Sequence, residues 1–182
     1  MLVSPGVMDP EPQPDTGPLF DFLKQNGIDF LRRDHPPVYT VEESKKLDLG
    51  LRGGATKNLF LRDKKGKRHF LFSVEQGKQV DLKRVPLLID STNFSFGSPD
   101  RLRKHLGILP GAVSLLALIN DPEGNVEVLI DEDLWGEDEI LCHPLINTST
   151  LALSRENLKH FIHQTGHQFR LVQVPQLNPG QE

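Results

Sequence analysis

Two short segments hold the residues whose types and spacing could act on a carbonyl. Gly53-Gly54-Ala55-Thr56-Lys57-Asn58 puts a lysine behind two glycines at a strand start, where an ammonium can reach a phosphate or a carbonyl oxygen. Cys142-His143-Pro144-Leu145-Ile146-Asn147-Thr148-Ser149-Thr150 crowds His, Asn, Thr and Ser into a turn between apolar runs, and convergent donors of that kind suit an ester carbonyl. Each segment also has a purely structural reading. A lone lysine is commonly a solvated edge residue, and such a turn can be held by Asn and Thr side chains bonding nearby backbone. Cys142 and His143 do not make a nucleophile pair, because neighbours along an extended chain point to opposite sides. Cys142 therefore reads as core.

Familiar catalytic signatures are missing: no Gly-rich phosphate loop, nucleophile elbow, HExxH or paired-Cys motif occurs. His160, His163 and His167 have suggestive spacing, but Gly166 should end their helix before the third, and no carboxylate joins them at ligand spacing, so no metal is expected. The acidic run Asp131, Glu132, Asp133, Glu137, Asp138 and Glu139 around Trp135 could hold Mg²⁺; it reads more simply as a solvated loop anchored by the tryptophan. Two basic clusters stand out: Lys64, Lys65, Lys67 and Arg68 around Gly66, and Arg101, Arg103, Lys104 and His105 on a predicted helix. Both read as a solvated turn and a solvated helix face. A net charge of −4 excludes a protein that grips nucleic acid over its whole surface, so any such contact must be local.

A chain of 182 residues is the size of one domain with its own core. Residues 1–17, rich in Pro and Asp, read as a disordered lead, 18–175 as a single domain and 176–182 as a flexible tail. No apolar run approaches the roughly 20 residues of a membrane span, and no secretory or transit signal is visible, so a cytoplasmic location is expected. The single cysteine excludes an intrachain disulfide.

Helices are predicted over Pro18–Asn26, Val41–Leu47 behind the capping box Thr40/Glu43, Asp81–Ile89 with Pro86 distorting it, Pro99–His105 behind Ser98, and from Ser154 to about Thr165. Strands are predicted at Ile28–Arg32, Asn93–Phe96, Thr150–Leu153 and Phe169–Val174. The clearest hairpin pairs Asn58–Arg62 with Arg68–Val74 across Asp63–Lys67. The apolar run Ala112–Ile119 reads as a buried strand returning through Asp121–Asn125 into Val126–Ile130. Interleaved elements with two antiparallel hairpins give an α+β fold, a mixed, largely antiparallel β-sheet with helices packed on it.

Three landmarks then stand in order: Gly54-Ala55-Thr56-Lys57-Asn58-Leu59-Phe60-Leu61, Leu109-Pro110-Gly111-Ala112-Val113-Ser114 and His143-Pro144-Leu145-Ile146-Asn147-Thr148. Together they resemble the YbaK/ProX-like aminoacyl-tRNA editing domain family over about residues 18–175, and most of all its free-standing PrdX or ProXp-ala type. That resemblance implies deacylation of mischarged tRNA(Pro), foremost Ala-tRNA(Pro), by water-mediated ester hydrolysis without metal, cofactor or covalent intermediate. The tRNA's terminal ribose hydroxyl would help activate the water. Residue by residue it implies that Lys57 is needed for activity, with His143 beside it. Asn58, Asn147, Thr148 and the loop Gly111, Ala112, Val113 and Ser114 would bind the acyl group and terminal adenosine. Implied partners are the acceptor end of mischarged tRNA(Pro) and prolyl-tRNA synthetase, with no membrane, for a monomer or weak homodimer. The loop departs from the family's Gly-x-x-x-Pro at its fifth position, Leu115. Alternatives are a deacylase for Cys-tRNA(Pro) or a tRNA carrying Ser, Thr or another small residue, a non-catalytic tRNA- or synthetase-binding module, and a generic ligand-binding α+β domain.

Overall fold

A computed structural model describes residues 13–38 and 40–177; of the expected lead and tail, residues 1–12 and 178–182 lie outside the described residues. The fold is organised on the predicted hairpin. Strands β2 (Gly54–Arg62) and β3 (His69–Glu75) pair antiparallel from Arg62↔His69 to Thr56↔Glu75. Their turn closes because the Asp63 carboxylate accepts from Lys67 N (2.8 Å) and Arg68 N (3.1 Å), while Gly66 takes a positive φ of 65°.

Around this hairpin the other strands are β1 (Leu31–Asp34), β4 (Ser95–Phe96), β5 (Val126–Asp131), β6 (Glu139–Cys142), β7 (Ser149–Ser154) and β8 (Phe169–Val172). The order is β1-β7-β6-β2-β3-β5-β8, with β4 beside β2. Four of the seven pairings are antiparallel; β2–β6, β3–β5 and β5–β8 are parallel. The sheet is thus the mixed, largely antiparallel one that the sequence implies.

Alternation along the strands separates two cores. Phe60, Leu71, Val128, Ile130, Ile140, Cys142, Leu151 and Leu153 point to one face, where they form a single cluster with Leu19 and Leu23 of α1 (Gly17–Gln25); α2 (Val41–Lys46) follows β1 along the chain. Val85 of α3 (Val85–Leu88) belongs to the second core, whereas Leu102 and Leu106 of α4 (Pro99–Leu106), Leu134 of α5 (Glu132–Trp135), and Leu158, Phe161 and Ile162 of α6 (Arg155–Gln164) join the first. Leu61, Phe70, Phe72, Val74, Leu129 and Val172 build the second core on the opposite face.

Capping follows the sequence closely. Thr40 and Glu43 exchange the two bonds of a capping box, Ser98 accepts from Arg101 N ahead of α4, and Gly107 ends that helix at φ 63°. Four expectations are corrected. Residues 112–119 form no strand: Leu115–Asn120 is a 3-10 helix capped by Ser114, and β5 pairs parallel with β3, so the second hairpin does not exist. Leu115, Leu116, Ala117 and Leu118 are buried, and an unbroken apolar run carries no period that separates buried helix from buried strand. The helix expected over Asp81–Ile89 contracts to α3, with Pro86 in its first turn. Strand β6 forms where a loop and turn were expected, and the strand expected at Ile28–Arg32 forms at β1.

The link from the 3-10 helix to β5 is held by Asp121. This carboxylate is 3% exposed and accepts from Val126 N (2.8 Å), Asn125 N (3.0 Å) and the buried His167 ring (3.1 Å). Burial pushes its pKa up, but His167 and the two amides outweigh burial and hold it below the ordinary 3.8. Asp121→Ala is expected to lower unfolding stability at pH 7 by about 2–4 kcal/mol in urea titrations. Because the native pKa is depressed, the carboxylate's stabilisation is complete above pH 3.8 and is lost as pH falls through the native value, so the two proteins should converge in strong acid.

Candidate functional site

Gly53 and Gly54 do more than loosen the backbone. A Cβ at Gly53, whose φ is 128°, would sit 2.6 Å from the Glu139 carbonyl oxygen, and one at Gly54 would sit 2.9 Å from Leu134 and Glu137 side-chain carbons. Their bareness lets the start of β2 lie parallel to β6 in the register Gly54↔Ile140 and Ala55↔Leu141. Ile140 and Cys142 point into the first core, so Leu141 and His143 face the other way. Ala55 and Lys57 share the second-core face of β2 with Leu59 and Leu61, the side opposite Phe60.

A cavity of about 220 Å³ opens at this junction, with Ala55, Thr56, Leu141, His143 and Thr150 on the sheet and Gln76 and the 47–51 segment around them. Two roomier hollows exist, of about 380 Å³ beside β5 and β8 and about 400 Å³ beside α4. Neither contains a residue of the two reactive segments, so chemistry, and not volume, selects the smaller one.

His143 is fixed in one tautomer. Its Nδ1–H donates to the Ser149 carbonyl at 2.8 Å, which leaves Nε2 with a lone pair. Burial pushes its pKa below 6.5; the Ser149 bond opposes that shift and His35 adds to it, so the ring is neutral at pH 7. His35 lies 6.0 Å away between ring centroids. Its Nδ1 bonds the Pro36 carbonyl at 2.8 Å, so Nε2 accepts from the Thr150 hydroxyl at 2.9 Å. Thr150, the last residue of the polar segment, lines the cavity, and His35, which the sequence does not single out, stands behind it. Cys142 is fully enclosed and its thiol is pushed up to about 12, which makes it inert core.

Lys57 is not among the residues lining the cavity. Its ammonium donates to the main-chain carbonyl of Lys78, in the turn that follows β3. That turn is anchored from below. Buried Asp131 accepts from Glu75 N at 3.0 Å and from the Lys78 ammonium at 2.7 Å, and Asp133 accepts from the same ammonium at 2.6 Å. The acidic run is therefore not wholly a solvated loop, since Asp131 closes β5 onto the turn that receives Lys57. An acidic cluster in the sequence does not reveal which member faces inward.

Asn58 points to the opposite face from Lys57. Its side-chain oxygen accepts from Ser73, its amide donates to Thr56 Oγ1 at 3.2 Å, and Thr56 donates to the Leu141 carbonyl at 2.8 Å. Asn58 thus reaches the cavity only through Thr56. Asn147 is buried and clamps the His35 segment: its amide donates to the Val38 carbonyl (3.3 Å), and its own carbonyl accepts from Val38 N (3.2 Å). Thr148 contributes its carbonyl to His35 N at 2.9 Å. Gly111, at φ 89°, and Ala112, Val113 and Ser114 lead into the 3-10 helix and do not line this cavity; Ser114 Oγ accepts from Leu116 N at 3.2 Å. The histidines after residue 159 are dispersed, with His160 bonded to the Asn26 carbonyl and His167 to Asp121. Among the described residues no helix is long and apolar enough to cross a membrane.

Comparison with known proteins identifies the family. The profile of the aminoacyl-tRNA editing domain matches residues 35–161. The chain is 39% identical over 152 residues to the Prolyl-tRNA editing protein ProX of Acetoanaerobium sticklandii, covering 84% of this chain and 93% of that one. It is 34% identical to Prolyl-tRNA synthetase associated domain-containing protein 1 of Danio rerio, over 82% of each. A solved structure provisionally described as a trans-editing enzyme for prolyl tRNA synthetase superposes with a TM-score of 0.63 at 20% identity, over 90% of this chain and 98% of that one, and so shares its fold.

The two carboxylates that hold Lys78 should differ in weight. Asp131→Ala leaves a buried ammonium short of its enclosed partner and is expected to cost about 3 kcal/mol in urea unfolding. Asp133→Ala, at a side chain 75% exposed, should cost under about 1 kcal/mol. Equal losses would show that Asp131 does not anchor the turn.

Proposed function

We propose, because this chain belongs to the aminoacyl-tRNA editing domain family, that it hydrolyses the ester of mischarged tRNA(Pro), with alanine the amino acid removed. The observation that carries this reading is the cavity of about 220 Å³ walled by a neutral His143 and the Thr56 and Thr150 side chains. It is smaller than the 300–1,000 Å³ common for small-molecule pockets, which suits a single short acyl group. The names of the relatives favour the prolyl system. Size discrimination favours alanine, because a synthetase pocket shaped for proline loses only roughly 1–3 kcal/mol per missing methylene and needs a second, smaller sieve.

The reaction asks little of the protein. Water adds to the ester carbonyl, the ribose oxygen leaves with one of the water's protons, and the amino acid departs as its carboxylate while the second proton passes to solvent. His143 Nε2, as an acceptor, would orient the water or the ribose hydroxyl beside the ester. Lys57 would exchange the Lys78 carbonyl for a substrate oxygen; the ammonium's bond to the Lys78 carbonyl is charge-assisted on one side only, and an anionic phosphate oxygen adds ion–ion attraction that the neutral carbonyl lacks, which favours the exchange. Asn58 would act through Thr56, and Asn147 and Thr148 through the His35 segment. Positioning and one or two donors suffice for an ester already activated. No metal enters this scheme, and prolyl-tRNA synthetase would be the source of the substrate.

A panel of tRNAs carrying Ala, Cys, Ser, Thr or Pro tests the reading. Alanine should be released fastest from tRNA(Pro), chelator should leave turnover unchanged, and Lys57→Ala should slow it roughly 100- to 1,000-fold. Release of none of the five would leave only a binding module, and full activity in Lys57→Ala would remove that residue from the chemistry. Because His143 must be neutral to accept, single-turnover rates should be flat above pH 6.5 and fall as pH drops through its lowered pKa. A rate that rises on acidification would assign the ring the opposite role.

A further inference from the structure

The two basic clusters of the sequence form one surface. Arg101 of α4 donates through Nη1 to the Gly66 carbonyl at the tip of the β2–β3 hairpin (3.2 Å) and to Nε2 of His69 (2.8 Å). The His105 ring packs on His69 at 4.1 Å between centroids, so the helix is seated on the hairpin's end. Lys64, Lys65 and Lys67 are exposed on the turn, and Lys104 is exposed on α4.

Segments 62–68 and 100–105 together hold eight of the chain's 21 lysines and arginines against two acids, Asp63 and Asp100. Asp63 is buried and bonded to the Lys67 and Arg68 amides, and Glu127 engages Arg68 at 2.6 Å. What faces solvent is cationic, in a chain whose net charge is −4. The two rings register this field. Burial, then His105 and Arg101, push His69 down to about 4, and burial, then Lys104, lower His105.

We propose that the hairpin tip and α4, through Lys64, Lys65, Lys67, Arg101 and Lys104, form the docking surface for the phosphate backbone of the tRNA acceptor arm. The inference rests on the reading of the cavity as the acyl site only for its geometry. β2 starts at the cavity and ends at this surface, and the six residue steps from Thr56 to Arg62 span about 20 Å. That is beyond the terminal nucleotide and within reach of phosphates further along the arm. Contacts of this type set orientation and carry no base readout, which is what an enzyme needs if the cavity inspects the acyl group.

The test measures binding of uncharged tRNA(Pro) between 50 and 200 mM salt by fluorescence anisotropy, for the full chain and for K64E/K67E/K104E. The triple variant should bind about tenfold more weakly or worse, with a slope of log affinity against log salt flatter by about two. Lys159→Glu, at an exposed lysine on α6, should alter neither. Hydrolysis of an aminoacylated 3′-terminal oligonucleotide too short to reach the hairpin should be the same in wild type and triple variant. Wild-type affinity and slope in the triple variant would overturn the proposal and leave the patch to an acidic protein partner. Uncharged tRNA carries no ester, so weakened binding supports the surface even if no mischarged tRNA is hydrolysed. Conversely, an active enzyme whose triple variant binds normally loses only the surface.

Discussion

The structure depends on one contact, the parallel approach of the first residues of β2 to β6. Strands β1, β7 and β6 make one part of the sheet and β2, β3, β5 and β8 the other, and among the described residues the strand pairing that joins them is Gly54↔Ile140 and Ala55↔Leu141. A side chain at Gly53 would strike the Glu139 carbonyl, and one at Gly54 would strike Leu134 and Glu137. Lys57 belongs to one part and His143 to the other. The absence of two β-carbons therefore lets both reactive segments share a sheet face, and the cavity is the hollow left beside the seam.

The polar groups around that seam are tied to backbone far more than to one another. His143 bonds the Ser149 carbonyl, His35 the Pro36 carbonyl, Asn147 the Val38 carbonyl and Lys57 the Lys78 carbonyl. Each such bond fixes a side chain against a main-chain carbonyl. His143 and Asn147 are held in place by these bonds, whereas Lys57 would have to release the Lys78 carbonyl before it could meet a ligand. The firmest of these ties is the least exposed: Asp131, inside the sheet, holds both the Glu75 amide and the Lys78 ammonium, and so fixes the carbonyl that faces Lys57.

Local signals were legible where a short-range rule decides the outcome. Thr40 with Glu43, Ser98 with Pro99, Gly107, and the Asp63–Lys67 turn act within four or five residues, and each element they bound appears where the pattern puts it. What escaped is decided at long range. Leu115 to Leu118 are all buried, so no period distinguishes helix from strand, and β6 pairs on one edge with β7 and on the other with β2, more than seventy residues away. The same holds for the site. His143 and Lys57 were visible as residue types, but the His35–Thr150 bond spans 115 positions and the Lys78–Asp131 pair 53, and nothing local announces either.

Leu115, where the resembled family writes proline, shows how a departure in sequence can leave geometry unchanged. Ser114 precedes it in an extended conformation (φ −151°, ψ 151°), the region that a residue before proline also prefers. Leu115 then takes the first position of the 3-10 helix, where a proline's missing N–H costs nothing because that amide has no partner within the helix. Here the Ser114 hydroxyl caps Leu116 N and the leucine side chain, 1% exposed, fills the core. Side-chain burial and a cap thus do the work of a fixed dihedral. If the cavity takes the acyl group, as proposed, its selectivity is set by the residues that line it, the 47–51 segment and Gln76 with His143, and not by the 111–115 turn.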